Sequence, residues 1–263
     1  MRLPLLRGVI RRRMLLNFRV DASVMTAFLP RPFRPKLHRG QAVAGVCLIR
    51  LEQIRPAGFP TMLGISSENA AHRVAVIWKG KSGEEQEGVF VPRRDTGSLL
   101  NHLAGGRLFP GEHHFAEFDV KDDGKRIDFA MRSRDEQVRV TLCGRESEGW
   151  PAGSCFSSLA ESSRFFEAGS LGYSVTSDAT RYDGLRLHTN HWKVGAMDVE
   201  RLDSSFFANR ALFPAGAIEF DHALIMRNIP HEWRGEDDLT SSLEKGECCG
   251  SEGPRKMLIE RFT

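Results

Sequence analysis

The spacing of apolar residues along the chain is typical of β-strands over most of its length. Residues 14–20 (MLLNFRV) have the length and apolar content of a strand. Residues 42–54 (AVAGVCLIRLEQI) are almost continuously apolar, which favours a strand that is buried on both faces or lines a closed barrel. Further strand-like runs lie at residues 72–78, 87–92, 112–120, 127–133, 137–144, 185–194 and 217–229. The chain is therefore predicted to consist mainly of strands.

Helical spacing is confined to a few short segments. Residues 21–30 begin at Asp21, a favourable N-cap, and stop at Pro30. The same pattern predicts short helices at 95–106, with Asp95 as the cap, and at 157–169, and a helical turn at 204–213. Because strands and helices do not alternate, a doubly wound nucleotide-binding fold is disfavoured. We predict a mainly β (α+β) protein, an antiparallel β-barrel with a few short flanking helices.

Length and composition predict one domain without a cofactor. A chain of 263 residues can bury a large core, and no linker divides residues 1–235, whereas residues 236–263 are polar and predict a disordered C-terminal tail.

The 37 basic and 34 acidic residues balance too closely to indicate a nucleic-acid partner. No apolar run is long enough for a membrane span. Cys47 lies in an apolar run, which favours a reducing cytoplasm.

Clustered basic residues and cysteines give weaker signals. Residues 11–13 are the only run of three arginines, and they predict a turn or strand edge. Residues 93–95 (RRD) could form an anion-binding turn, although a solvated corner is the favoured interpretation. The neighbouring Cys248 and Cys249 lack a second pair with zinc-site spacing, so neither a metal nor a cofactor is predicted.

Four stretches of the chain carry a resemblance to a known family. They are NFRVDASVMTAFLPRPFRPKL, SSENAAHRVAV, GVFVPRRD and GGRLFPGEHHFAEFDV. Together they resemble the uncharacterised family catalogued as domain of unknown function 2071, which in turn is similar to acetoacetate decarboxylase. The resemblance covers most of residues 1–235. It implies an acetoacetate-decarboxylase-like antiparallel barrel or cone with a central pocket, and possible self-association as a homo-oligomer.

The resemblance also implies which residues face that pocket. An arginine in a Tyr-Arg-Thr-Asp segment of the decarboxylase corresponds to Arg19 in FRVD, and a pocket glutamate corresponds to Glu68 in SSENAAHRVAV. A second family glutamate falls near Gly45, where this chain has no acid. The Pro-Lys-Lys segment that supplies the Schiff-base lysine corresponds to residues 112–114, which read Glu-His-His.

Histidine at this place changes the chemistry that the resemblance can imply. Imine catalysis needs a primary amine, and imidazole cannot form that intermediate. His113 or His114 could instead act as a general acid or base beside Glu68, with Arg19 holding a carboxylate. Successive strand residues face opposite ways, so the two histidines do not share a pocket. Alternation favours His114 and position matching favours His113.

These observations leave two classes of function open. The first is a barrel pocket that binds a small carboxylate-bearing metabolite, with or without acid–base chemistry of a lyase, hydratase or isomerase. The second is a non-catalytic scaffold or protein-interaction barrel. The discriminating feature is the pocket, because a polar cavity favours a ligand and a filled barrel favours a scaffold.

Overall fold

One thirteen-stranded sheet dominates the described part of the chain. The computed structural model describes residues 5–98, 111–178 and 180–240. Its strands are β1 (Leu6–Val20), β2 (Arg34–Pro35), β3 (Leu37–His38), β4 (Gln41–Pro56), β5 (Ile65–Lys79), β6 (Glu85–Thr96), β7 (His114–Asp122), β8 (Arg126–Ser133), β9 (Arg139–Ser147), β10 (Leu171–Val175), β11 (Arg181–His188), β12 (Gly195–Ser204) and β13 (Ile218–Thr240). The helices in these ranges are α1 (Ala22–Phe28), α2 (Leu159–Ala168) and a 3-10 turn at Thr61–Leu63. The predicted mainly β fold with few short helices is confirmed.

The sheet closes on itself, which buries its middle strands on both faces. The order β6–β7–β8–β9–β12–β13–β1–β4–β5 returns to β6 and forms a ring of nine strands. A second path runs from β6 through β10 and β11 to β13. Strands β13, β1, β4, β5 and β6 belong to both paths. Their near-continuous apolar sequences, rather than alternating ones, follow from this double burial.

Two hydrophobic cores lie on opposite faces of the shared strands. Met14 and Leu16 of β1 point into the nine-strand ring. Leu15 of the same strand and Cys47 of β4 point the other way and pack near Phe166 of α2. Alternation along one strand therefore supplies both cores.

Strand β1 is longer than its apolar run predicted. Residues 11–13 were expected at a turn or strand edge, but they lie in the middle of β1, which is hydrogen-bonded to β4 and β13. Pairing with carboxylates that are distant in the sequence explains how the charged Arg12 fits within a strand. Arg12 is buried, and its guanidinium lies 2.9 Å from the carboxylate of Glu68 and 3.3 Å from that of Asp122. Buried charges are tolerated when they are paired and hydrogen-bonded in this way.

The helix predictions met different outcomes. Asp21 caps α1, because its carboxylate accepts hydrogen bonds from the backbone N–H groups of Ser23 at 2.8 Å and Val24 at 3.1 Å. The helix predicted at 157–169 is present as α2. Asp95 was wrongly predicted as a helix cap, since β6 continues through Thr96 and Asp95 is buried within it. The rest of that predicted helix, from residue 99, lies outside the described residues.

Two strand boundaries also differ from the predictions. The strand predicted at 185–194 ends at His188, and β12 begins at Gly195. Strand β13 continues to Thr240, five residues past 235, because its last part pairs with β11. Residues 241–263, which make up most of the expected tail, lie outside the described residues. Within the described ranges, no helix is long and apolar enough to cross a membrane.

His72 of β5 is a polar residue buried inside the nine-strand ring. Its side chain is fully buried, and its ring centroid lies 4.5 Å from that of Phe206 and 5.7 Å from that of Phe207. Among the described residues, neither ring nitrogen has a hydrogen-bond partner. Burial, assisted by the charge of Arg93, lowers the pKa of His72 to about 3 from an ordinary value of 6.5. The folded protein therefore holds His72 neutral.

This burial predicts a loss of stability in mild acid. Below pH 6.5 the unfolded chain takes up a proton at residue 72 that the folded protein does not, so the free energy of unfolding falls with pH until about pH 3. At pH 5 the loss from this group is about 2 kcal/mol. Urea unfolding at pH 7 and pH 5 should show that His72→Leu loses less stability on acidification than the wild type. The exposed His188→Leu is the control and should behave as the wild type; equal acid sensitivity of the His72 variant would contradict the assignment.

Candidate functional site

A cavity of about 100 Å³ lies on the α2 side of the shared strands. Much of its wall is apolar and comes from β4, β6, β11 and α2 and from the loop before β12. These apolar side chains are Ile49, Leu51, Val89, Val91, Phe166, Leu185, Leu187 and Trp192. Apolar walls with a few convergent polar groups are the usual composition of a small-molecule site.

Three arginines line this cavity and give it a positive charge. Arg13 comes from β1, Arg73 from β5 and Arg94 from β6. Among the described residues, none of the three forms an ion pair with a carboxylate. Burial lowers the pKa of Arg73 and of Arg94 to about 10, so both remain protonated at neutral pH.

Arg73 is the most deeply buried of the three, at 4% exposed. Its Nη2 donates a 2.5 Å hydrogen bond to the side-chain oxygen of Asn17, and its guanidinium lies 4.7 Å from the ring centroid of Phe166. In the part of the chain that is described, Nε and Nη1 have no hydrogen-bond partner. A buried cation with two unsatisfied nitrogens carries a large desolvation cost unless an anion joins it.

The other two arginines are held by neutral partners. The Nε of Arg94 donates to Ser174 Oγ at 2.8 Å. The Nε of Arg13 donates to the Cys47 sulfur at 3.3 Å. Cys47 itself lines the cavity.

Asp95 is the one acidic residue among the described residues that line the cavity, and its carboxylate is already paired with Arg93. Asp95 Oδ1 lies 2.8 Å from Nη2 of Arg93, which also bonds Asp135 at 2.8 Å. Burial raises the pKa of Asp95 to about 6, against the opposing effect of Arg93. Asp95 bonds Arg93 and forms no ion pair with any of the three cavity arginines in the described residues.

The structure separates the two predicted histidines. His113 lines the cavity, and its Nδ1 lies 3.2 Å from the backbone oxygen of Gly111. A carbonyl oxygen only accepts, so Nδ1 is the ring nitrogen that carries the proton in this contact. His114 begins β7, and its Nδ1 lies 3.2 Å from Asp135 on the opposite face of the sheet.

Arg19 and Glu68, the other predicted site residues, lie outside this cavity. Arg19 is half-buried near the surface, 2.6 Å from Glu219 and 3.2 Å from Asp221, and the hydrogen bond to Glu219 raises its pKa. Glu68 faces the nine-strand ring. Burial raises the pKa of Glu68, and Arg12 at 2.9 Å opposes that rise. The structure therefore does not bring Arg19, Glu68 and His113 together.

A chain of hydrogen-bonded, buried polar groups extends from Asn17, the partner of Arg73. His222 Nδ1 lies 2.6 Å from Asp221, and His222 Nε2 lies 3.0 Å from the side-chain nitrogen of Asn17, whose oxygen contacts Arg73. Ser162 Oγ is also 2.7 Å from His222 Nε2. Ser162 has no exposed surface and sits within α2, so this serine, histidine and aspartate are not placed to attack a substrate.

Sequence reasoning missed the three cavity arginines. Arg13 stands in a run of arginines, and Arg94 stands in a charged triplet, so neither looked like part of a buried strand. Arg73 carried the clearest signal, as a lone basic residue at the head of the apolar run VAVIW. Within the described ranges, no group of three or more His, Cys, Asp or Glu residues is arranged to hold a metal ion.

Solved structures with the same fold cover most of this chain. Acetoacetate decarboxylase from Legionella pneumophila is 14% identical with a TM-score of 0.54, covering 90% of this chain and 88% of that chain. An acetoacetate decarboxylase-like enzyme from Sphingomonas wittichii is 14% identical with a TM-score of 0.55, covering 90% and 94%. The enduracididine biosynthesis enzyme MppR, complexed with the condensation product of pyruvate and imidazole 4-carboxaldehyde, is 12% identical with a TM-score of 0.51, covering 91% and 90%. These likenesses establish the acetoacetate-decarboxylase-like fold.

Sequence comparison identifies the family but no function. No curated protein matches the chain. A family model described as an uncharacterised conserved protein matches residues 9–225, which confirms the resemblance carried by the four stretches. The chain therefore belongs to the uncharacterised family known as domain of unknown function 2071.

Proposed function

We propose that this protein binds a small carboxylate-bearing metabolite in the cavity, held by Arg13, Arg73 and Arg94. The observation that carries the proposal is the buried Arg73, with two guanidinium nitrogens that have no hydrogen-bond partner in the described residues. A carboxylate would accept these hydrogen bonds and offset the cost of burying the charge. Guanidinium groups match carboxylates with two parallel, charge-assisted bonds.

The size of the cavity supports a small ligand. An apolar protein cavity of about 150 Å³ holds benzene. A cavity of about 100 Å³ favours an acid with roughly two to four carbon atoms. MppR, which shares the fold, was solved with a condensation product of pyruvate, and that complex supports a small-acid ligand for this fold.

His113 is the residue proposed to exchange a proton with the ligand. It lines the cavity, and imidazole is suited to acid–base catalysis near neutral pH. Lyase, hydratase or isomerase chemistry would need this group together with carboxylate binding by the arginines. Glu68 and His114, the other predicted acid–base groups, face the opposite side of the sheet and pair with Arg12 and Asp135. The alternative function, a scaffold, requires no cavity lined by cations.

The first prediction concerns ligand-induced stabilisation. Small keto, hydroxy and dicarboxylic acids should raise the unfolding temperature of the wild type. A ligand at a hundred times its dissociation constant adds about 2.7 kcal/mol, or roughly 5 to 10 °C for a chain of this size. Arg73→Gln should abolish the shift without lowering the melting temperature of the ligand-free protein, because it removes an unpaired buried charge.

Arg19→Gln is the matched comparison, since the resemblance assigned the carboxylate to Arg19. We expect this variant to keep the ligand-induced shift. A shift that survives Arg73→Gln and is lost in Arg19→Gln would place the ligand at Arg19 instead. No shift with any acid in a folded wild type would favour the scaffold.

A second prediction concerns imine chemistry. No lysine lines the described part of the cavity, so borohydride with acetoacetate or pyruvate should leave the mass of the wild type unchanged. His113→Lys would put a primary amine at the cavity wall, where nearby guanidinium charges favour the uncharged, reactive amine. That variant should form a reduced adduct and serves as the positive control. An adduct on any lysine of the wild type would overturn the argument.

A further inference from the structure

The cavity carries more positive charge than one carboxylate can neutralise. Three guanidinium groups face it, and Asp95, the one acid in its described wall, already pairs with Arg93. Unpaired charges of one sign repel each other most strongly where water is excluded. A ligand with a single negative charge would leave two of the three arginines uncompensated.

Hydrogen bonds also hold Arg73 and Arg94 at opposite sides of the cavity. Asn17, Gly45 and Arg73 are aligned across β1, β4 and β5, and the Arg73 side chain crosses over Gly45 to reach Asn17. A Cβ at Gly45 would lie 2.3 Å from the backbone oxygen of Leu16 and 3.3 Å from the side-chain oxygen of Asn17. The missing side chain keeps this path open, so Arg73 is held toward β1.

The side chain of Arg94 is held on the other side of the cavity, toward β10. It starts from β6 and bonds Ser174 of β10, the strand on the side of β6 away from β5. Arg13 extends from β1 and donates to Cys47 of β4, so it lies on the β1 side of the cavity with Arg73, and its charge lowers the Arg73 pKa. The cavity therefore has one anion position at Arg13 and Arg73 and a second position at Arg94.

We infer that the ligand carries two anionic groups, one bound by Arg13 and Arg73 and the other by Arg94. This inference rests on the proposed function and names its substrate class, a small dicarboxylate or a small acid with one carboxylate and one phosphoryl group. Guanidinium pairs with carboxylate and phosphate oxygens in the same two-bond geometry. The cavity volume restricts either ligand to a short carbon chain.

The test compares diacids with amides of the same shape and one charge less. Oxalate, malonate and succinate are titrated calorimetrically against oxamate, malonamate and succinamate at constant ionic strength. At least one diacid should bind about ten- to a hundredfold more tightly than its amide, the effect of one charge-assisted pair. Phosphonoacetate and inorganic phosphate are the arms that test a phosphoryl group. Tighter binding of phosphonoacetate than of all three diacids would assign the second position to a phosphoryl group and still support two anionic groups.

Three variants test the two positions. Arg94→Gln should weaken the diacid to the level of its amide and leave the affinity for the amide within about twofold. Arg73→Gln should weaken both ligands. Arg94→Lys, which keeps the charge, should retain part of the preference for the diacid, and thermal unfolding of each variant confirms that it is folded.

The outcomes separate the two proposals. Diacid and amide binding equally in all three pairs, with no tighter binding of phosphonoacetate, would overturn the two-anion inference and leave the carboxylate site intact. Equal losses of both ligands in Arg94→Gln would overturn the assignment of separate positions. No binding of any acid to the folded wild type would contradict the proposed function itself.

Discussion

Burial of the same strands on both faces is the constraint on which the structure depends. Strands β13, β1, β4, β5 and β6 belong to two closed paths of the sheet, so the side chains of their middle segments enter one core or the other. A charged residue in one of these buried middle segments cannot turn toward water. It must find a partner inside the protein, or it must be reserved for a ligand.

Buried arginines have different partners on the two faces of the shared strands. Toward the nine-strand ring, Arg12 pairs with Glu68 and Asp122, and Arg93 pairs with Asp95 and Asp135. Toward α2, the arginines of the cavity find only neutral partners, such as Asn17, Ser174 and Cys47, among the described residues. Buried arginines that pair with carboxylates have their charge compensated, whereas buried cations without a carboxylate partner are the expected mark of an anion site. This contrast, rather than the presence of arginine alone, is why the functional site is assigned to the α2 side.

The strands and capped helices could be predicted because their signals are local. Asp21 caps a helix formed by the next few residues, and near-continuous apolar runs identify strands buried on both faces. The site could be predicted only in part. The resemblance named His113, which lines the cavity. The partner of a buried arginine, in contrast, depends on distant residues: Arg12 bonds Glu68 56 positions away, and Arg73 bonds Asn17 at the same separation. Only the register of the sheet decides that one pairs with a carboxylate and the other with an amide.

The polar chain behind Arg73 explains how an unpaired cation can be held in a fixed place. Arg73 can only donate, so the side-chain oxygen of Asn17 must face it, and the Asn17 nitrogen must then face His222 Nε2. That nitrogen accepts only if His222 is neutral with its proton on Nδ1, which donates to Asp221. Burial lowers the pKa of His222 and so favours this neutral form. Asp221 also pairs with Arg19. The arginine implied by the resemblance is thus connected to the cavity through the groups that orient Arg73, whereas Arg73 itself lines the cavity.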